Sequence, residues 1–391
     1  MKSYANRMLN LQGEGAYKVL AQANALETQG KSVIHLEIGQ PNFATPEHIS
    51  KAAFRAIAEG KTGYGPAQGV LSLRKAIASY VETYKDLHYV PEEIVVTPGA
   101  KPIIFYAMLA LAEPGDEVIV PNPGFPTYAS CVHFCGATLR NLELREENQF
   151  DPDPDQLLTL LSPKTKLVIL NNPNNPTGRH TSTKIMRRIT ELIRDYSDAY
   201  VLSDEIYDRL VFQPTEPVFS PASVTGMRDR TIVLDGFSKT YAMTGWRLGY
   251  GLMNANMAEV FSRLMVNSNG CTATFTQEAG CEALLGPQDS VDQMRSEFHQ
   301  RSVWFAEQLN QIKGVHCVIP NAAFYAFPRV SVNGLGSAEI AERLLQEVGV
   351  ACLDGESFGQ MGKGFLRLST ANSMDNLTMA IQRLHTFFDT L

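Results

Sequence analysis

The stretch TIVLDGFSKTYAMTGWRLG, residues 231–249, decides the reading of this chain. Thr231 to Leu234 is a short, continuously apolar and partly β-branched run, which predicts a strand covered on both faces. Asp235-Gly236-Phe237-Ser238 follows, so Lys239 falls just past the strand end among small and hydroxyl residues. An amine at such a place can be held in a closed site, where desolvation disfavours its charged form.

The same kind of run recurs on both sides: Ile94 to Val96, Val118 to Val120, Leu167 to Leu170, Tyr200 to Leu202 and Leu248 to Tyr250. Helical patterns alternate with these runs, and the longest apolar one, Ile103 to Ala112, reads as a buried helix stopped by Glu113-Pro114-Gly115. The expected fold is α/β, a mostly parallel seven-stranded sheet covered by helices on both faces, with its ligand beyond the strand ends. After Gly286-Pro287 a long amphipathic stretch runs to Ile312. Short strands are expected at 315–319, 324–327, 350–353 and 365–368, with helices at 338–347 and 376–388. With the first 50 residues, which hold a helix and the strand Val33 to Glu37, these predict a smaller α+β domain made of 1–50 and 287–391 around a large domain of 51–286.

Composition narrows the function class. The 391 residues are 44% hydrophobic and carry 41 acidic against 34 basic side chains, a net charge of −7 with no basic block to follow phosphates. Nucleic acid is excluded as a partner on that ground. No run approaches the roughly 20 apolar residues needed to cross a bilayer, and the first residues hold no secretory signal, so a cytoplasmic location is expected. Six cysteines are too few for a disulfide scaffold. Cys131, His133 and Cys135 lie in an apolar helical pattern without a second ligand pair, and no metal is expected.

The segment around Lys239 resembles the coenzyme-lysine signature of the class I/II (fold-type I) aminotransferases, which depend on pyridoxal 5'-phosphate (PLP), and specifically the bacterial aspartate-aminotransferase-like subgroup. Gly236, Ser238, Lys239, Arg247, Leu248 and Gly249 all fit the pattern. The resemblance runs from Gly39-Gln40-Pro41-Asn42-Phe43 to Phe365-Leu366-Arg367-Leu368-Ser369. It implies that Lys239 carries PLP as a Schiff base and acts as the base on the substrate Cα. Asp204, at the exit of the strand Tyr200 to Leu202, would pair with the pyridine nitrogen, and Tyr207 with the phenolate oxygen. Asn175, in Asn171-Asn172-Pro173-Asn174-Asn175-Pro176-Thr177-Gly178, would join Tyr207 there. Taken alone, Asp204 reads as a helix cap and the asparagine loop as a turn.

For the phosphate, the resemblance points to the amides of Gly99 and Ala100, at the start of a helix, with Lys101, Ser238 and the bidentate Arg247. Phe125 would stack on the ring. Tyr64 would cross to the partner subunit's phosphate, which implies a homodimer. Arg367 and the backbone of Gly39 would hold the substrate carboxylate, with Asn175 beside them. Gly236 stands where many relatives have serine, and Gln40 and Asn42 stand where relatives often have Glu and Asp. Lys101 is open between a cation for a second carboxylate and a simple helix cap. The residues 267–272 hold no Arg or Lys for that purpose.

The function that follows is transfer of an amino group from an L-amino acid to a 2-oxo acid. The same electron sink would also serve a β/γ-elimination lyase or a cyclase acting on a modified amino acid. The length leaves no stretch expected to form a DNA-binding module.

Overall fold

A computed structural model describes residues 4–11, 13, 15–214, 217–332 and 334–391. The chain opens with α1 (Gly15–Thr28), β1 (Ile34–His35), α2 (Glu47–Ala58) and α3 (Leu71–Lys85). Alternation then sets in: β2 (Ile94–Thr97), α4 (Lys101–Leu111), β3 (Glu117–Asn122), α5 (Thr127–Cys135), β4 (Thr138–Glu143), α6 (Pro154–Leu160), β5 (Thr165–Asn171), α7 (Thr183–Tyr196) and β6 (Tyr200–Asp204). β7 (Thr231–Gly236) leads into a single turn, α8 (Phe237–Thr240), and β8 (Gly249–Leu252). Three helices follow, α9 (Ala255–Ser268), α10 (Thr274–Leu285) and α11 (Asp289–Leu309). The last part holds β9 (Val315–His316), β10 (Tyr325–Ala326), β11 (Arg329–Val330), α12 (Ser337–Val348), β12 (Val350–Ala351), β13 (Leu353–Asp354), β14 (Leu366–Ser369) and α13 (Met374–Asp389).

The seven-stranded sheet has the order β2-β8-β7-β6-β5-β3-β4, and β8 alone runs against its neighbours. Alternate residues of each strand face opposite sides, and both sides are buried. Leu167 and Ile169 pack with α4, α5 and α9, whereas Val168 and Leu170 pack with α7. On the far half of that second face, Val233, Tyr250 and Leu252 meet α2, α3 and α10. Burial on both sides is why the strands read as continuous apolar runs. β4 departs from the reading: Thr138-Leu139-Arg140-Asn141-Leu142-Glu143 is an edge strand, mostly half-open to solvent, and shows no apolar run.

A second body forms from both chain ends. β1 pairs in parallel with β12, and Ile34 and Leu36 share a core with residues of α11, α12, β14 and α13. Its strands are shorter than expected, two residues each except β14, because they make small sheets of two and three strands rather than one continuous sheet. The opening segment is divided: residues 6–10 form a turn against α5, with Asn10 Nδ2 3.5 Å from the His133 carbonyl oxygen. α11 belongs to both bodies, with Val291 and Phe298 in the cores beside the large sheet and Phe305 and Leu309 in the second core.

Among the described residues no helix is long and apolar enough to cross a membrane. None of their His, Cys, Asp and Glu side chains group as metal ligands, and Cys131 and Cys135 are unbridged thiols of α5.

Candidate active site

The strand register brings three site-bearing ends level: Asn171 of β5 pairs with Asp204 of β6, and Asp204 pairs with Leu234 of β7. β7 then turns into α8, which carries Lys239. Beyond these ends lies a cavity of about 540 Å³. Eleven of the residues expected from the sequence line it: Gly39, Ala100, Lys101, Phe125, Asn175, Asp204, Tyr207, Ser238, Lys239, Arg247 and Arg367. Among the described residues its wall bears four cations, Lys101, Lys239, Arg247 and Arg367, against the one carboxylate of Asp204. An acidic chain thus encloses a cationic cavity, suited to anions.

Lys239 Nζ donates to the Gly39 carbonyl oxygen at 2.5 Å and stands 6.0 Å from the Tyr207 ring centre. Gly39 therefore meets the amine directly from the opening segment. A side chain on Gly39 would overlap the Tyr325 hydroxyl, so only glycine permits this approach.

Asp204 is buried, and its Oδ2 accepts a 2.5 Å hydrogen bond from the Tyr128 hydroxyl. Burial pushes its carboxyl up to about 6, against the opposing pull of that hydroxyl and of the Ile206 amide. The Tyr207 hydroxyl lies 2.8 Å from that of Tyr325. Burial, then the neighbouring Tyr325, holds the Tyr207 phenol far above its ordinary range, so it stays a neutral donor.

The asparagine loop is folded back by Asn171, whose Nδ2 reaches the Pro173 and Asp204 carbonyls and whose Oδ1 takes the Asn175 amide at 3.0 Å. This leaves the Asn175 Oδ1 buried without a hydrogen-bond partner.

At the start of α4, Gly99 has φ +86° and lies against the Arg247 guanidinium so closely that any Cβ would strike it. Gly99 therefore borders the cavity behind Arg247, although it does not line it. Arg247 itself is held by a 2.8 Å bond from Nη1 to the Thr244 carbonyl. Ser238 is buried at the wall. Lys101 Nζ lies 5.4 Å from the Phe125 ring centre at the rim.

Arg367 on β14 is buried between the rings of Tyr325, 4.7 Å away, and Phe358, 5.2 Å away. Its Nη2 donates to the Glu37 carbonyl, and its Nε has no partner. Burial lowers its pKa, yet a guanidinium remains charged. Tyr64 stands apart: it is 99% exposed and lies outside the cavity wall. Gln40 lines the rim, and Asn42 Oδ1 instead accepts from Arg301 at 2.9 Å.

The sequence reading passed over Tyr128 and Tyr325. Tyr128 sits in the first turn of α5, three positions after Phe125, and that spacing is the local signal available. Tyr325 lies far along the chain, in Phe324-Tyr325-Ala326-Phe327, which reads as an ordinary apolar strand.

The family model described as aminotransferase class I and II matches residues 31–384. The aspartate aminotransferase of Pyrococcus horikoshii is 35% identical over 97% of this chain and 96% of its own length. The aromatic-amino-acid aminotransferase 2 of Thermococcus litoralis is 36% identical over 90% and 91%. The solved structure of the Thermus thermophilus aspartate aminotransferase with maleate superposes with a TM-score of 0.94 at 34% identity, covering 99% of this chain and 100% of that one.

Proposed function

The chain belongs to the class I and II aminotransferases, and on that premise we propose that its cavity holds PLP on Lys239 and an L-amino acid against Arg367. It is an amino-acid aminotransferase, an enzyme that moves an amino group from an amino acid to a 2-oxo acid. The observation that carries the proposal is the convergence of the Lys239 amine, the buried Asp204 carboxylate and the buried Arg367 guanidinium on one cavity.

The residues fit the coenzyme and its substrate on structural grounds. For the substrate, Arg367 Nε is a buried donor that lacks a partner within the chain, and a carboxylate would complete it. Such atoms are costly unless a bound group completes them. The backbone at Gly99 has no side chain between it and Arg247, which suits a phosphate seated at a helix start.

When bound, the PLP ring supplies the electron sink that acidifies the substrate Cα–H. Asp204, fixed by Tyr128, holds a proton at the ring nitrogen. Tyr207 and Asn175 would hold the phenolate oxygen, and Phe125 would pack on the ring. The amides of Gly99 and Ala100, the side chains of Ser238 and Lys101, and the Arg247 guanidinium bind the phosphate oxygens. Arg367, with the Gly39 backbone, orients the substrate carboxylate so that Cα faces Lys239 Nζ, which takes and returns the proton there.

With this reading goes the division into a coenzyme-bearing part, 51–286, and a smaller part, 1–50 with 287–391. It also includes a homodimer in which the exposed Tyr64 completes the partner subunit's phosphate site. Sedimentation that finds one chain per particle in the active enzyme would remove that element.

The decisive experiment mixes purified holoenzyme with single amino acids and no oxo acid. Stoichiometric oxo acid and pyridoxamine phosphate are expected. Turnover to a product that has lost ammonia or a β-substituent, with the coenzyme returned as PLP, would overturn the reading in favour of elimination.

A further inference from the structure

Behind the sheet, one ammonium ties together three segments that carry the site. Lys85, the last residue of α3, has a side chain only 2% exposed. Its Nζ lies 2.8 Å from Glu205 Oε2, 2.7 Å from Asp208 Oδ2 and 3.1 Å from Asp235 Oδ2. Each carboxylate neighbours a site residue in the chain: Glu205 follows Asp204, Asp208 follows Tyr207, and Asp235 precedes Gly236 and the α8 turn that bears Lys239. α3 covers the sheet face opposite α4: Val233 packs on the α3 side and Leu234 on the α4 side, so Asp235 turns back toward Lys85.

The other carboxylate oxygens are fixed as well. Glu205 Oε1 accepts from Ser203 Oγ at 2.8 Å and Ser220 Oγ at 2.6 Å. Asp208 Oδ1 accepts from the Arg209 amide at 2.6 Å, and Asp235 from the Gly236 amide at 2.7 Å and the Tyr250 hydroxyl at 3.0 Å. Burial and then Asp208 raise the Asp235 carboxyl, with Lys85 opposing, so the cluster is short of positive charge even with its ammonium present.

We propose that Lys85 is a positioning residue for the transamination site: its ammonium sets the spacing between the ends of β6 and β7, and so between Asp204 with Tyr207 and the Lys239 amine. Without it, three carboxylates repel across that gap. The proposal rests on the reading of the cavity as the PLP site.

Wild-type holoenzyme is first reduced with borohydride; coenzyme mass on Lys239 secures that reading, and its absence there would sink the reading rather than the role of Lys85. Lys85→Met is then compared with wild type in PLP dissociation constant, in the pH midpoint of the coenzyme's visible absorption, and in kcat and KM. Expected are about tenfold weaker PLP binding and a fall of about 100-fold in kcat with little change in KM, as misplaced catalytic groups give. The midpoint should move, because it depends on where Asp204 and Tyr207 stand relative to the Lys239 amine. Lys85→Arg keeps the charge and should hold the midpoint at its wild-type value. If Lys85→Met does not fold, Lys85→Met/Asp208→Asn/Asp235→Asn, which leaves only the Glu205 carboxylate, itself held by Ser203 and Ser220, is read in the same way. A folded variant of either kind with wild-type PLP affinity, midpoint and kcat overturns the proposal.

Discussion

The Tyr128 hydroxyl donates a 2.5 Å hydrogen bond to Asp204 Oδ2 and thereby joins the first turn of α5 to the end of β6. This donor favours the ionised carboxylate, the form that holds a proton on a ring nitrogen. Tyr128→Phe removes it, and the Asp204 carboxyl then rises further above about 6. The acid limb of the pH profile of kcat/KM should move up by about one unit, with about a tenfold loss well below the limb and about a twofold loss at neutral pH. An unmoved acid limb would show that Asp204 is not the group titrating there.

Asp204→Asn should strengthen the coenzyme-free fold while destroying catalysis. The folded-state pKa of about 6 exceeds the ordinary 3.8, so the folded chain keeps a proton that the unfolded chain releases. Stability is therefore lost as pH rises from the lower value through the upper. Asparagine carries no charge, and the apo variant should gain roughly 1–3 kcal/mol at neutral pH. Thermal unfolding with and without PLP measures this, and kcat should fall at least about 100-fold. A lower apo melting temperature would contradict the sign.

Arg367→Lys replaces a planar fork, clasped between Tyr325 and Phe358, by a point charge that cannot make two parallel bonds. The expected result is about a 100-fold fall in kcat/KM for amino acids, carried mainly by KM, with PLP affinity unchanged. Equal loss of PLP binding would move Arg367 from the substrate to the coenzyme.

Lys101 is the cation nearest the rim, beside Phe125. If it receives a second carboxylate, Lys101→Gln should lower kcat/KM for aspartate about tenfold and leave phenylalanine within about twofold. Equal losses for both amino acids would assign Lys101 to the phosphate helix alone.

Legibility in the sequence followed burial. β5, β6 and β7 each hold a continuous apolar stretch, residues 167–170, 201–202 and 232–234, because helices cover both faces, and the pattern is visible over a few residues. β4 escaped because an edge strand has half-open side chains and its Leu139 and Leu142 do not alternate strictly. Lys239, Asp204, Asn175 and Arg247 could be picked out because each stands at a strand exit or in a dense local motif. Tyr325 could not, because its partnership with Tyr207 spans 118 positions and leaves no local trace. Lys85 was invisible for another reason: beside Tyr84 and Asp86 at a helix end it has the setting of an ordinary solvent lysine, and only the tertiary fold encloses it.

The shared helix α11 has a mechanical consequence. Its 21 residues make a rod about 31 Å long at 1.5 Å per residue. The half near Val291 is clamped beside the large sheet, and the half near Phe305 is embedded in the second core. Ser302 Oγ meets Thr370 Oγ1 at 2.6 Å, directly after β14, which carries Arg367. One continuous helix thus spans the junction between the cores beside the large sheet and the second core. The placement of β14, and with it Arg367, relative to the sheet that anchors the Lys239 turn is therefore set through the backbone of α11.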